Sequence, residues 1–189
     1  MRLFVALDID EAIQQRLDDY VRTLQPRLPG VRFVRSNTYH VTLKFLGEVP
    51  NVDAVRQCLR SVRAVGFEIT FRGVGFFPNA RAPRVFWAGI SAPLLPGLAH
   101  CVGQSLEALG FPQEPEFHPH LTLARNGSGR RRPLRGERTP EAFAQLAGIV
   151  ASSPAPEFGT MTAREFFLYE SRLSGSGPSY YKLEAFALG

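Results

Sequence analysis

The stretch "FHPHLTLAR", residues 117–125, sets two histidines either side of a proline and then runs into an apolar alternation. It has an echo upstream in "YHVTLKFLG", residues 39–47. His40-Val41-Thr42-Leu43 returns as His120-Leu121-Thr122-Leu123, whereas His118 has no counterpart. In an extended chain, side chains at i and i+2 share a face. Each motif therefore offers one imidazole and one hydroxyl on one side and two aliphatic groups to a core on the other. With four histidines and eight threonines in the chain, two chance His-x-Thr matches arise in only about 1% of shuffled sequences.

The surroundings of the two motifs repeat as well. Residues 2–9 alternate and predict a strand, and Asp10 caps a helix with Ile13, Leu17, Tyr20, Val21 and Leu24 at helical spacing, ending near Pro26. The first motif strand follows, then the helix "NVDAVRQCLRSV" and the strands "FEITFRGVGFF" and "RVFWAGI", joined by the turn "PNARAP". The order then begins again. "LPGLAHCVGQSLEALG" predicts a helix closed by Gly110, the second motif strand follows, and "PEAFAQLAGIVAS" predicts another helix. "GTMTAREFFLYESRL" and "SYYKLEAFAL" read as two final strands. Each half thus runs helix, motif strand, helix, strand, strand, a structural repeat with little sequence identity. The expected fold is α+β: a bilobal, pseudo-twofold duplication whose two antiparallel sheets line a central cleft, with helices outside. Residues 1–189 are expected to form one domain of two interleaved lobes, with one His-x-Thr motif on each.

The 189 residues, 44% of them apolar and 21% charged, suffice to bury a core. No apolar run reaches the roughly 18 residues that span a bilayer, and "MRLFVALDID" lacks the pattern of a signal peptide. A cytoplasmic monomer with no membrane association is expected. Cys58 and Cys101, the two cysteines, have neither disulfide-framework nor zinc spacing. The net charge of +5 suits a polyanionic partner, but 20 of the 22 basic residues are arginine, a bias that a GC-rich genome also produces. Distribution says more than the total.

Two facing motif strands would bring two imidazoles and two hydroxyls together. That set suits cleavage of a phosphate ester: one histidine takes a proton from the nucleophile and the other gives one to the leaving oxygen. The hydroxyls of Thr42 and Thr122 can donate to non-bridging oxygens. Imidazole titrates near ~6.5, so both protonation states are at hand near neutrality, and the chemistry needs no metal or other cofactor.

With these residues in place, the chain resembles the 2H phosphoesterase superfamily, whose paired motifs are close to "HVTLKFLG" and "HPHLTLAR". "RLFVALDI" and "PRVFWAGI" resemble its RNA 2′,3′-cyclic phosphodiesterase branch, historically called 2′-5′ RNA ligase, and the likeness runs from Arg2 to "YYKLEAFAL". The resemblance implies a metal-independent site between two lobes. It also implies opening of RNA 2′,3′-cyclic phosphate ends, or small cyclic nucleotides, to 2′-phosphates, with 2′-5′ ligation as the reverse in some members. It places His40 as general acid, His120 as general base, and Thr42, Thr122 and Arg125 on the phosphate. Two other readings stay open: an RNA-binding module with marginal catalysis, and action on another cyclic phosphate or a 2′-5′ linked oligonucleotide.

Several residues read differently. Pro119 marks a strand start, which leaves His118 at the rim. Phe45 has the opposite parity to His40 and should be buried, and Trp87 reads as packing. The run "RNGSGRRRPLRGER" follows the second motif directly, so Arg130, Arg131 and Arg132 are expected to contact an RNA backbone.

Overall fold

The computed structural model describes residues 1–126, 141–175 and 177–189. In chain order the elements are β1 (Arg2–Leu7), α1 (Glu11–Leu24), β2 (Val41–Glu48), α2 (Val52–Leu59), β3 (Phe67–Phe77) and β4 (Val85–Ser91). There follow α3 (Leu95–Leu106), β5 (His120–Arg125), α4 (Glu141–Ala151), β6 (Glu157–Ala163), β7 (Glu165–Ser174) and β8 (Gly177–Ala187). The eight strands make two four-stranded sheets, ordered β2-β1-β7-β8 and β5-β4-β3-β6, with every pair antiparallel. The fold is α+β, with a motif strand at one edge of each sheet.

The repeat begins one strand earlier than the sequence suggests. β1–α1–β2–α2 corresponds to β4–α3–β5–α4, because β1 lies beside β2 in one sheet as β4 lies beside β5 in the other. The stretch "GTMTAREFFLYESRL", expected as one strand, is two: β6 ends at Ala163 in the second sheet, and β7 starts at Glu165 in the first. α1 joins two strands of the first sheet but lies along β6 of the second, while α3 joins two strands of the second and lies along β2 of the first. The expected apolar face of α1 is buried at Ile13, Leu17, Val21 and Leu24. Asp10 stands at its N-cap without a side-chain cap bond; its carbonyl accepts from the Gln14 amide at 2.9 Å. Among the described residues no helix is long and apolar enough to cross a membrane.

A continuous core joins both sheets and the helices, drawing on Leu3, Val5, Leu7, Ile69, Phe71 and Val102. The other face of the first sheet carries a separate small cluster of Phe4, Ala6, Phe167 and Tyr169, with Tyr180 against it. β1 therefore alternates strictly, core on one side and an aromatic cleft floor on the other.

β2 does not alternate strictly. Its register with β1 runs Ala6↔Thr42, Val5↔Lys44, Phe4↔Phe45, with irregularities between Val5 and Ala6 and between Leu3 and Phe4. The first irregularity places one extra residue, Leu43, between Thr42 and Lys44, as a β-bulge does. Lys44 therefore turns away from the cleft, where its buried Nζ donates to the Pro112 carbonyl at 2.5 Å and sits 3.6 Å from Glu114. Phe45 is 59% exposed, not buried as strand parity predicts, and its ring lies 6.0 Å from Phe4.

Candidate active site

Both motif histidines sit where a strand begins. β2 starts one residue after His40, and His120 is the first residue of β5. The segment before the first motif is stitched to the second motif strand: Phe33 bridges Ala124, the Val34 amide donates to the Leu123 carbonyl at 2.8 Å, and the Arg125 amide donates to the Arg32 carbonyl at 3.3 Å. A short 3-10 turn over Ser36–Thr38, closed by the Thr38 hydroxyl on the Arg35 carbonyl at 2.7 Å, then swings the chain back into β2. These backbone bonds bring the edge strands of the two sheets together.

The two imidazoles are held by one device used twice. His40 Nδ1 is 2.8 Å from the carbonyl of Thr38, and His120 Nδ1 is 2.7 Å from the carbonyl of His118. A carbonyl can only accept, so each Nδ1 carries a hydrogen and each Nε2 is left as the atom that gains or loses a proton. The ring of His40 lies 4.9 Å from Phe4 and edge-on to Tyr180 at 5.2 Å, and that of His120 is edge-on to Phe77 at 5.0 Å. His40, Thr42, His120, Thr122 and Arg125 line one small cavity of about 40 Å³. Within it the Arg125 Nη2 donates to the Thr122 hydroxyl at 3.3 Å.

Electrostatics disfavour a charge on either ring. Burial is the largest influence on His40 and, opposed by the Thr38 carbonyl and aided by Arg125, pushes its imidazole down to about 4. Burial also lowers His120, again against its backbone hydrogen bond and again with Arg125 adding to the shift. Arg125 adds to the lowering of both rings, because its guanidinium disfavours a second positive charge nearby.

The structure thus gathers His40, Thr42, His120, Thr122 and Arg125 around one cavity. His118 stands apart: its side chain is 65% exposed and meets Glu116 at 3.0 Å, and it serves the site through its carbonyl alone. Arg130, Arg131 and Arg132 lie outside the described residues. Trp87 lies opposite Thr122 on the cleft side of β4, half-buried, with its indole filling the space a Cβ would need at Gly75. It packs, as expected, but in the cleft wall. Sequence reasoning missed Tyr180, Phe4 and Phe77. The alternation of β1 hinted at Phe4, whereas nothing local separates Tyr180 from Tyr181.

Two imidazoles with free Nε2 atoms, two threonine hydroxyls and a guanidinium in one cleft between duplicated sheets define a two-histidine phosphoesterase. Residues 7–87 and 92–180 match the family model described as LigT like phosphoesterase. The chain belongs to that family. It is 36% identical over 189 residues to the RNA 2′,3′-cyclic phosphodiesterase of Archaeoglobus fulgidus, covering 98% of this chain and 99% of that protein. It is 33% identical over 195 residues to the protein of the same name from Methanothermobacter thermautotrophicus, covering 100% and 99%. The crystal structure of E. coli LigT complexed with 3′-AMP superposes with a TM-score of 0.76 at 28% identity, over 99% of this chain and 97% of that one.

Proposed function

We propose that this protein is an RNA 2′,3′-cyclic phosphodiesterase that opens cyclic ends to 2′-phosphomonoesters by acid–base catalysis between His40 and His120. The observation that carries the reading is the doubled carbonyl–Nδ1 bond, which leaves Nε2 of each ring for proton exchange in a pair that lines one cavity with Arg125. A water oxygen attacks phosphorus and gives its proton to Nε2 of His120. The P–O3′ bond breaks, and O3′ takes the proton held on Nε2 of His40. Thr42, Thr122 and Arg125 donate to the non-bridging oxygens, where charge accumulates in the transition state. With a ribose 5′-hydroxyl in place of water, the same breaking of P–O3′ yields a 2′-5′ linkage, and the reverse of that step, in which the 3′-hydroxyl closes the ring, cleaves it.

Turnover of a 2′,3′-cyclic nucleotide to the 2′-monophosphate in excess chelator is the expected result. No turnover in the absence or presence of added divalent metal, with retained binding of RNA, would instead mark an RNA-binding module.

The depressed imidazoles set the pH dependence. Catalysis needs one proton on the pair: below the lower macroscopic pKa there is no base, and above the upper one there is no acid. Because burial lowers both groups, the alkaline limb of kcat/KM should fall below the ordinary imidazole value of about 6.5. The cyclic diester keeps its single charge across this range, so the limbs belong to the protein. An alkaline limb above pH 7 would show that the pair is not depressed in solution.

A further inference from the structure

Two openings flank the histidine cavity, and they differ in charge. One, of about 480 Å³, holds Asp8 and Lys182, which pair with each other. The other, of about 640 Å³, is lined by Arg2, Arg32, Arg35 and Arg125 and, among the described residues, by no carboxylate. That volume lies within the range of about 300–1,000 Å³ usual for ligand clefts. It is continuous with the catalytic cavity, sharing Val34, Thr38, Arg125 and Tyr180 with it. Among the described residues, the guanidinium groups of Arg2 and Arg32 meet no carboxylate and no hydrogen-bond acceptor.

The same groove exposes apolar surface. Phe45 is 59% exposed and Leu173 51%, and both line it. Phe45 is in the groove only because of the bulge in β2, which also turns the strand's lysine away from it. An exposed aromatic face beside unpaired arginines is the combination by which single-stranded nucleic acid is held: rings stack on bases while guanidiniums follow the phosphates. The opposite opening, with its neutralised Asp8–Lys182 pair, offers no such track.

We infer that the arginine-lined groove binds the single-stranded RNA immediately upstream of the cyclic end, with Phe45 stacking on a base of that strand and Arg2 and Arg32 on its phosphates. The inference rests on the RNA phosphodiesterase reading and adds to it the track the strand follows and the residues that hold it.

The test compares a 2′,3′-cyclic mononucleotide with a single-stranded hexaribonucleotide ending in a 2′,3′-cyclic phosphate. Wild-type protein should prefer the hexamer in kcat/KM. Phe45→Ala should lower kcat/KM on the hexamer about tenfold, within the stacking contribution of one base, and leave the mononucleotide within twofold. Arg2→Gln combined with Arg32→Gln should do likewise and flatten the log–log salt dependence of hexamer binding by about 1.4, at 0.7 per phosphate contact. Equal losses on both substrates, or none on either, would overturn the groove. Binding of a 3′-hydroxyl hexamer, followed by anisotropy, requires no turnover. Unchanged affinity in the variants overturns the groove even if catalysis fails, whereas weakened affinity supports it independently of the reaction.

Discussion

His120→Ala and His40→Ala should each lower kcat/KM on a 2′,3′-cyclic nucleotide by about 10²–10⁴-fold, the usual contribution of one positioned acid or base. Because both protons move in one transition state, the double variant should lose far less than the product of the single losses. Thr42→Val and Thr122→Val should cost about ten- to a hundredfold, since each hydroxyl is one of several donors to a charged oxygen. His118→Ala is the control. Its imidazole is turned to solvent against Glu116, and alanine keeps the carbonyl that holds His120, so its rate should stay within about twofold of wild type. A crippled His118→Ala beside an active His120→Ala would assign the chemistry to the other histidine of "FHPHLTLAR". Full multiplicativity of the two single losses would mean that the rings contribute independently.

The second large effect concerns the sheet behind the site. Phe86 is fully buried on the core side of β4, stacks on Phe76 at 5.2 Å, and pairs across the sheet with Ala124 of the second motif strand. Truncating it to alanine removes the apolar transfer contribution and leaves a cavity, so Phe86→Ala should cost about 3–5 kcal/mol. Urea unfolding should show this as a lower midpoint at unchanged slope. Phe45→Ala, at a position more than half exposed, should stay within about 0.5 kcal/mol. A loss below 1 kcal/mol at Phe86 would mean that Phe76 and its neighbours collapse into the space.

The pair of motifs was legible because period-two alternation and duplication are both local patterns. His40 with Thr42 and His120 with Thr122 need only their own strand to declare a shared face. Arg125 is suggested by likeness to a family and not by spacing, and its Nη2 donates to the Thr122 hydroxyl. Phe45 failed because the alternation rule assumes an unbroken ladder, and a single extra residue in β2 inverts Lys44 and Phe45 until the second irregularity restores the parity. The break at Arg164 escaped because no glycine or proline marks it: the chain stays extended and alternating while it passes from one sheet to the other. The start of the repeat is masked in sequence because β1 and β4 resemble each other only in outline, "RLFVAL" against "RVFWAGI". Tyr180 escaped for a different reason. It meets His40 across 140 residues of chain, and such a contact is a property of sheet order, not of neighbours in sequence.

The carbonyl that grips each Nδ1 also leaves the pair of rings with a proton imbalance after every turnover. The bond opposes turning either ring over to present its other nitrogen, and in this arrangement each exchanges through a single atom. In the proposed roles, one hydrolysis leaves His40 a proton short and His120 a proton over, the mirror image of the starting state. In that mirror state the site is armed for the opposite step, in which His40 would draw the proton from a 3′-hydroxyl as it closes on the 2′-phosphate. Forward turnover resumes only after bulk solvent discharges one ring and recharges the other. In a molecule built of two like halves, that refilling separates one turnover from the next, while the free energy of hydrolysis sets the net direction.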